Sequence, residues 1–254
     1  MTQWLDEAIQ HLCAAYPNEG CGLIVEVDGE QMFYPTVNRA ASRSEQFVIS
    51  AEDYADAEDA GQIVGVVHSH CDYPAKPSMA DRSQCEASEV PWFICRIDGK
   101  EHAGKPLDKP ICVEVEHLEP QGFKAPLVGR PFTYGVHDCA ALFTDWYEQE
   151  LGIILPKFDH GPEFWWDPKS ENYLPDFNPY EEHLAEAGFG KVPADTLQRG
   201  DGIIMQLQAL TSNHIAVYLG DGVMLHHLHN RLSTHAIYGG YWMEMTTSII
   251  RRIP

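Results

Sequence analysis

The sequence predicts an α+β protein of two domains, and three observations carry that reading. Strand and helix patterns alternate through the first part, an order that fits α/β or α+β packing. Residues 115–131 then hold Pro120, Gly122, Pro126, Gly129 and Pro131 with little periodicity, which marks a boundary. Beyond it the order reverses, with a long helix first and strands later.

Thr2 can cap a first helix, in which Trp4, Leu5, Ala8, Ile9 and Leu12 share one face. Cys21–Val27 reads as a buried strand, Asp28-Gly29 as a hairpin turn, and Gln31–Val37 as the return strand. Ser50 caps an acidic helix over Ala51–Ala60, with Asp53 as its capping-box acid. Ile63–Val67 is a strand that runs into His68-Ser69-His70. A loop and a helix capped by Ser78 follow, then a strand over Pro91–Asp98. After the boundary come a helix over Asp138–Leu151, an irregular aromatic stretch at 156–180 and a short helix over Tyr180–Ala187. Strands then fall at Gly202–Gln206, His214–Leu219 and Val223–His226, the last two joined by an Asp221-Gly222 turn. Phe164, Trp165, Trp166, Tyr173 and Phe177 of the irregular stretch read as cover for the core in preference to lining of a cleft.

Composition narrows the functions. The 254 residues are 44% apolar, enough for real cores, and carry 38 acids against 17 bases, a net charge of −21. Such a chain is repelled by phosphates, which argues against a nucleic-acid substrate. Seven cysteines without a C-x-x-C resemble neither a disulfide framework nor a cysteine-rich zinc site, and fit a reducing compartment. The N-terminus has acids where a signal peptide has bases, and no apolar run approaches a membrane span. The expectation is a product made in the cytoplasm.

Asp138-Cys139 opens a helix. There the unpaired N–H groups and the positive dipole end favour a thiolate at Cys139. A nucleophilic thiol needs a base. His214 opens an apolar strand, and the Asp221-Gly222 turn brings His226 back beside it, so His214 reads as the base and His226 as the residue that orients it. His227 and His229 are rivals for the orienting place. Tyr134-Gly135, Asp138-Cys139, His214-Ile-Ala-Val-Tyr-Leu-Gly, Gly222 and His226 together resemble the NlpC-type, papain-like cysteine peptidases. The resemblance implies cleavage of peptidoglycan stem peptides between D-glutamate and diaminopimelate. It also implies Cys139 as nucleophile, His214 as base and His226 as orienter. Where that family often has P-Y-x-x-G, this chain has Pro131-Phe132-Thr133-Tyr134-Gly135. The family's hydroxyl is lost at Phe132. Oxyanion stabilisation then falls to the Cys139 backbone N–H, with Tyr134 as a weaker substitute.

His68 and His70 are two apart on an extended strand, so their imidazoles share a side. Asp81 follows one turn into the helix capped by Ser78. Two histidines and a carboxylate leave a fourth tetrahedral position open, the pattern of a catalytic zinc site, and Glu19 is the candidate general base. These residues resemble the JAMM (MPN+) metallopeptidase motif, E…H-S-H-x7-S-x2-D, in register. The resemblance implies Zn²⁺ held by His68, His70 and Asp81, Glu19 as base, Ser78 as oxyanion helper, and cleavage of peptide or isopeptide bonds. Cys71 stands where the family usually has proline. Its thiol either approaches the metal or lines the loop.

The domains expected are a JAMM α/β domain over residues 1–115, a linker over 116–130 and an NlpC-type α+β domain over 131–254. Their order along one chain also resembles a family of bacteriophage tail-tip proteins. That implies a peptidoglycan peptide substrate, other tail tip proteins as partners, and host cytoplasm, virion tail tip and periplasm as places of action. Two readings stay open: two active hydrolases, or mainly an assembly factor whose JAMM site is structural or processes a tail protein.

Overall fold

The computed structural model describes residues 3–156, 158, 161–184 and 186–253, so the Thr2 cap and part of the irregular stretch lie outside the described residues. The chain divides into two compact units, Met1–Lys124 and Ala125–Pro254.

The first unit begins with α1 (Gln3–Ala15), which buries Trp4, Ala8 and Leu12 at helical spacing. β1 (Cys21–Val27) and β2 (Glu30–Thr36) form a hairpin in register Val27↔Glu30, closed by Asp28 and Gly29, both at positive φ. α2 (Ala51–Ala60) is capped by Ser50, whose Oγ accepts the Asp53 N–H at 3.1 Å. β3 (Gln62–Cys71) is longer than its apolar run predicts. Parallel pairing with β4 (Trp92–Asp98) carries it through His68-Ser69-His70 to Cys71. α3 (Met79–Ser88) is the crossover between these two strands. A small hairpin, β5 (Glu101–His102) and β6 (Lys105–Pro106), precedes β7 (Ile111–Leu118). β7 covers the first four residues of the 115–131 stretch. It is an edge strand with Glu114, Glu116 and His117 exposed, so its sequence shows no apolar alternation.

The strand order is β2-β1-β3-β4-β7. Alternating side chains give this sheet two cores. Ile24, Val67, Cys95 and Ile97 pack with α1 on one face. Leu23, Val25, Val66 and Trp92 pack with Ala57 of α2 and Cys85 of α3 on the other. His68 shares the alternation of Val66 and therefore faces α3.

The second unit begins with α4 (Cys139–Leu151), which buries Leu142, Phe143, Trp146 and Tyr147 against Ile215, Val217, Leu225 and Ile250. Truncating Phe143 or Trp146 to alanine would cost about 3–5 kcal/mol. α5 (Pro179–Leu184) follows the aromatic stretch. The sheet holds β8 (Phe189–Val192), β9 (Gly202–Met205), β10 (His214–Gly220), β11 (Val223–His226), β12 (Thr234–Ile237) and β13 (Thr246–Arg252), with α6 (Tyr241–Met245) before β13. Its order is β12-β11-β10-β9-β13-β8. The β10–β11 hairpin matches the sequence pattern, while β8, β12, β13 and α6 carry too few consecutive apolar residues to announce themselves. Among the described residues no helix is long and apolar enough to cross a membrane.

Candidate active sites

The first site is built on β3 and α3. His68 Nε2 and His70 Nε2 lie 3.3 Å apart, as strand alternation requires. His68 Nε2 is 3.3 Å from Asp81 Oδ1, and His70 Nε2 is 3.4 Å from Asp81 Oδ2. Ligands held at 2.0–2.1 Å around a tetrahedral ion are separated by about 3.3–3.4 Å. The two His–Asp distances end on different carboxylate oxygens, so the three side chains converge on one point without yet forming a tetrahedral face, and this donor set of two imidazoles and a carboxylate fits a zinc ion. The Pro74 carbonyl accepts from or faces His70 Nδ1 at 2.8 Å, which fixes the ring. His68 is held differently. Its buried Nδ1 has no hydrogen-bond partner among the described residues, while Phe47 stacks on its ring at 4.6 Å and Trp92 meets it edge-on at 5.5 Å. Phe47 was not singled out by the sequence, since a loop aromatic carries no periodic signal.

Asp81 serves two structures at once. Its Oδ2 accepts the Ser78 N–H at 2.7 Å while its own N–H bonds to Ser78 Oγ at 3.1 Å, a complete capping box. Burial pushes the Asp81 carboxyl up, but His68, His70 and Ser78 outweigh it and hold it well below the usual carboxylate range. Glu19 sits in the α1–β1 loop, buried, with its backbone pinned by Arg43 and Asn38. Burial raises its carboxyl to about 7, against the lowering by His68 and His70. Ser78 is in place as the helix cap. Cys71 falls on the opposite face of β3 from the histidines, and its thiol donates to the Asn18 carbonyl at 3.2 Å. It therefore does not join the donor cluster, which comprises His68, His70 and Asp81.

The second site is a cleft of about 200 Å³ at the start of α4, lined by Cys139, His214, Tyr180, Phe132, Trp165 and Trp166 among others. Asp138 caps the helix, accepting from Ala141 N–H and from Gly135 N–H, each at 2.9 Å. Burial raises the Cys139 thiol to about 11, with Asp138 adding to it. The Tyr180 hydroxyl and the N–H groups of Ile215 and Ala140 oppose that rise. The helix start therefore does not yield a resting thiolate, contrary to the sequence expectation, because desolvation outweighs the dipole. His214 is pushed down to about 3, first by burial and then by His226 and His227. At neutral pH the site holds a thiol and a neutral imidazole.

His226 lies beside His214, ring centroids 5.5 Å apart, and meets Trp242 edge-on at 4.7 Å. Neither His214 Nε2 nor His226 Nδ1 has a hydrogen-bond partner among the described residues. His227 and His229 line the cleft, and His227 Nε2 is 3.0 Å from the Arg231 carbonyl. Of the five aromatics read as core cover, Trp165 and Trp166 line the cleft, Trp165 while buried; Phe158, from the same stretch, both lines the cleft and packs in the core. A hydroxyl within hydrogen-bond range of the thiol was also missed. It belongs to Tyr180, whose Oη is 3.5 Å from Cys139 Sγ, whereas Tyr134 donates to the carbonyls of Gly161 and Pro162.

Comparison with known proteins finds a family match for each half of the chain. Residues 129–251 match the NlpC/P60 family, and residues 1–106 match the prokaryotic homologs of the JAB domain. Tail tip assembly protein K of Escherichia phage N15 is 37% identical over 248 residues, covering 97% of this chain and 93% of that protein. The chain belongs to the tail tip assembly protein K family. A second K protein, from Escherichia phage lambda, is 35% identical over 204 residues, 80% of this chain and 88% of that one. Among solved structures, the NlpC/P60 domain of the peptidoglycan hydrolase SagA is 17% identical, covers 49% of this chain and 89% of that domain, and has a TM-score of 0.33. The fold of this chain is α+β, with a JAB-like first domain and an NlpC/P60 second domain. The His68-His70-Asp81 cluster is compatible with a metal site of the JAB-like domain.

Proposed function

We propose that the second domain, residues 131–254, is a cysteine endopeptidase that cuts peptidoglycan stem peptides at the D-glutamate–diaminopimelate bond. One observation carries this reading: Cys139 in the first turn of α4 opens into the same cleft as His214. His214 takes the thiol proton as Sγ attacks the scissile carbonyl. The tetrahedral intermediate collapses to a thioester, and His214 returns the proton to the leaving amine. Water then hydrolyses the thioester. His226 sets the His214 ring by edge contact. The neutral thiol and imidazole make proton transfer part of the attack, not a step completed beforehand.

The JAB-like domain is the zinc-dependent peptidase or isopeptidase of the pair, and it extends past the expected end at 115 because β7 (Ile111–Leu118) belongs to its sheet. His68, His70 and Asp81 would hold the ion, which would supply Lewis-acid polarisation of a peptide carbonyl. Glu19, near 7 through burial, can take or give a proton at the pH of the cell, and a bound cation would draw it lower. Ser78 presents its hydroxyl from the helix cap beside Asp81. A second reading is favoured by the name that both relatives carry, tail tip assembly protein: the chain works with other tail tip proteins, and the metal site is structural or processes one of them. On either reading the protein is made in the host cytoplasm and acts at the tail tip and in the periplasm.

Muropeptide digestion separates the readings. Cys139→Ala is expected to lose stem-peptide cleavage by on the order of 10⁴-fold or more, while His68→Ala keeps it and loses bound zinc. Digestion by Cys139→Ala equal to that of the parent would sink the cysteine peptidase. A parent protein without zinc would sink the metallopeptidase.

A further inference from the structure

We propose that Tyr180 is a catalytic residue, whose hydroxyl donates to the Cys139 sulfur at rest and to the oxyanion of the tetrahedral intermediate during the reaction. This rests on the cysteine peptidase reading and adds to it a residue from outside the cysteine and histidine segments. Tyr180 Oη is 3.5 Å from Cys139 Sγ. The residue is only 5% exposed and lines the cleft from the start of α5, where it follows Pro179. Its ring is packed in the core cluster with Ala140, Leu142 and Phe158. The hydroxyl is therefore held by packing and needs no reorganisation when charge develops beside it.

Four other residues of the cleft wall are engaged elsewhere or have no hydroxyl to give. Phe132 has no hydroxyl. Tyr134 bonds to the carbonyls of Gly161 at 3.5 Å and Pro162 at 3.4 Å. Asn213 is tied to Leu207 at both ends of its carboxamide, accepting from the backbone N–H at 2.8 Å and donating to the carbonyl at 3.1 Å. Asp138 is an acceptor, occupied by two backbone N–H groups.

The step balances without further reagents. The Sγ lone pair forms the S–C bond, and the carbonyl π pair moves onto oxygen. That oxygen lies two bonds from Sγ, within reach of a hydroxyl 3.5 Å from the same sulfur. Tyr180 keeps its proton throughout and contributes only the hydrogen bond, next to the first-turn N–H of Cys139. Burial, followed by Cys139 itself, raises the phenol well above its usual range and favours the donor form. On collapse the pair returns to carbon, the C–N bond breaks, and the amine leaves with the proton from His214. Hydrolysis of the thioester repeats the same charge movement.

Tyr180→Phe removes one oxygen and keeps the ring. Cleavage of a stem peptide by this variant should show kcat lowered about 10²–10³-fold at every pH, with KM close to that of the parent. Affinity for a peptide aldehyde, whose adduct with Cys139 carries the same oxygen, should fall alongside. Iodoacetamide labelling of Cys139 should persist, showing that the site is intact. A kcat within about threefold of the parent with unchanged aldehyde affinity overturns the assignment. So does a loss fully recovered at high pH, which would confine Tyr180 to the resting thiol. Should Tyr180→Phe fold poorly, incorporation of a fluorotyrosine at 180 strengthens the donor and must tighten aldehyde binding. No tightening would count against the proposal. Equal digestion by the parent and Cys139→Ala would instead remove the peptidase reading, a result distinct from all of these.

Discussion

At the residue scale the governing quantity is the protonation state of Cys139. A thiol raised to about 11 and an imidazole lowered to about 3 cannot form a resting ion pair at neutral pH. Thiolate is the alkylating species, so its fraction sets the labelling rate. Labelling of Cys139 by iodoacetamide, followed by mass spectrometry of its peptide, should climb about tenfold per pH unit from pH 7 to 10. A plateau reached by pH 7 would show an ion pair and overturn the argument. The base behaves in the complementary way. With His214 uncharged above about 3, kcat/KM should keep no acid limb between pH 5 and 7 that belongs to this residue. Cys139, His214 and the His68-His70-Asp81 set were all visible in the sequence, because each sits at a fixed offset from an element start or along one strand. Tyr180 and Phe47 were not. Each reaches its partner from an irregular segment, 41 residues away in one case and 21 in the other, and no local pattern encodes such an approach.

At the element scale the two sites share a device: a helix N-terminus fixed by a short polar side chain. Asp138 caps α4 and so sets the height of Cys139 in the cleft. Ser78 caps α3, but there the reciprocal acid of the capping box is Asp81, itself a donor of the metal cluster. One carboxylate thus closes the helix and faces both histidines. Replacing it separates the two duties. Asp81→Asn keeps an oxygen for the Ser78 N–H, so the helix should hold while zinc affinity falls by 10-fold or more, an order-of-magnitude expectation. Asp81→Ala loses both, and in the metal-free protein should cost about 1 kcal/mol more than Asp81→Asn. Urea unfolding with zinc titration on the same samples checks this. Equal stability of the two variants would mean that the capping box contributes nothing. The caps and the Asp-Gly turns were legible because each is a two- to four-residue rule. The edge strands β7 and β12 were not, since a strand bonded on one side and wet on the other needs no apolar alternation.

For the whole molecule, the two units differ in how they carry buried charge, and acid should separate them. In the second unit burial holds His137 near 4, His214 near 3 and His226 near 4. Each binds its proton more weakly folded than unfolded, where histidine titrates near 6.5. Below that value the unfolded chain takes up protons that the folded unit refuses, so stability falls as pH drops from about 6.5 towards 4. The first unit, without metal, responds in the opposite sense over that window. Glu19 titrates near 7 when folded, above its unfolded value, so its protonated form favours the fold on acidification. Asp81 is held well below the usual range and stays ionised when folded, so it subtracts stability from the first unit only below about pH 5, where its unfolded form begins to take up a proton. Hydrogen exchange of the metal-free chain at pH 7, 5.5 and 4.5 should therefore show protection lost first in β9, β10 and β11, with β1 and β3 still protected. Loss in β1 and β3 first, or in both sheets together, would refute the assignment of acid sensitivity to the buried histidines. His226→Phe removes one of the three groups while keeping an aromatic ring against Trp242. It should move the acid transition of the second sheet to lower pH and leave that of the first where it was. The domain order alone foretold none of this, because it follows from how deeply each titratable ring is buried, a property of the folded sheet that the linear pattern does not carry.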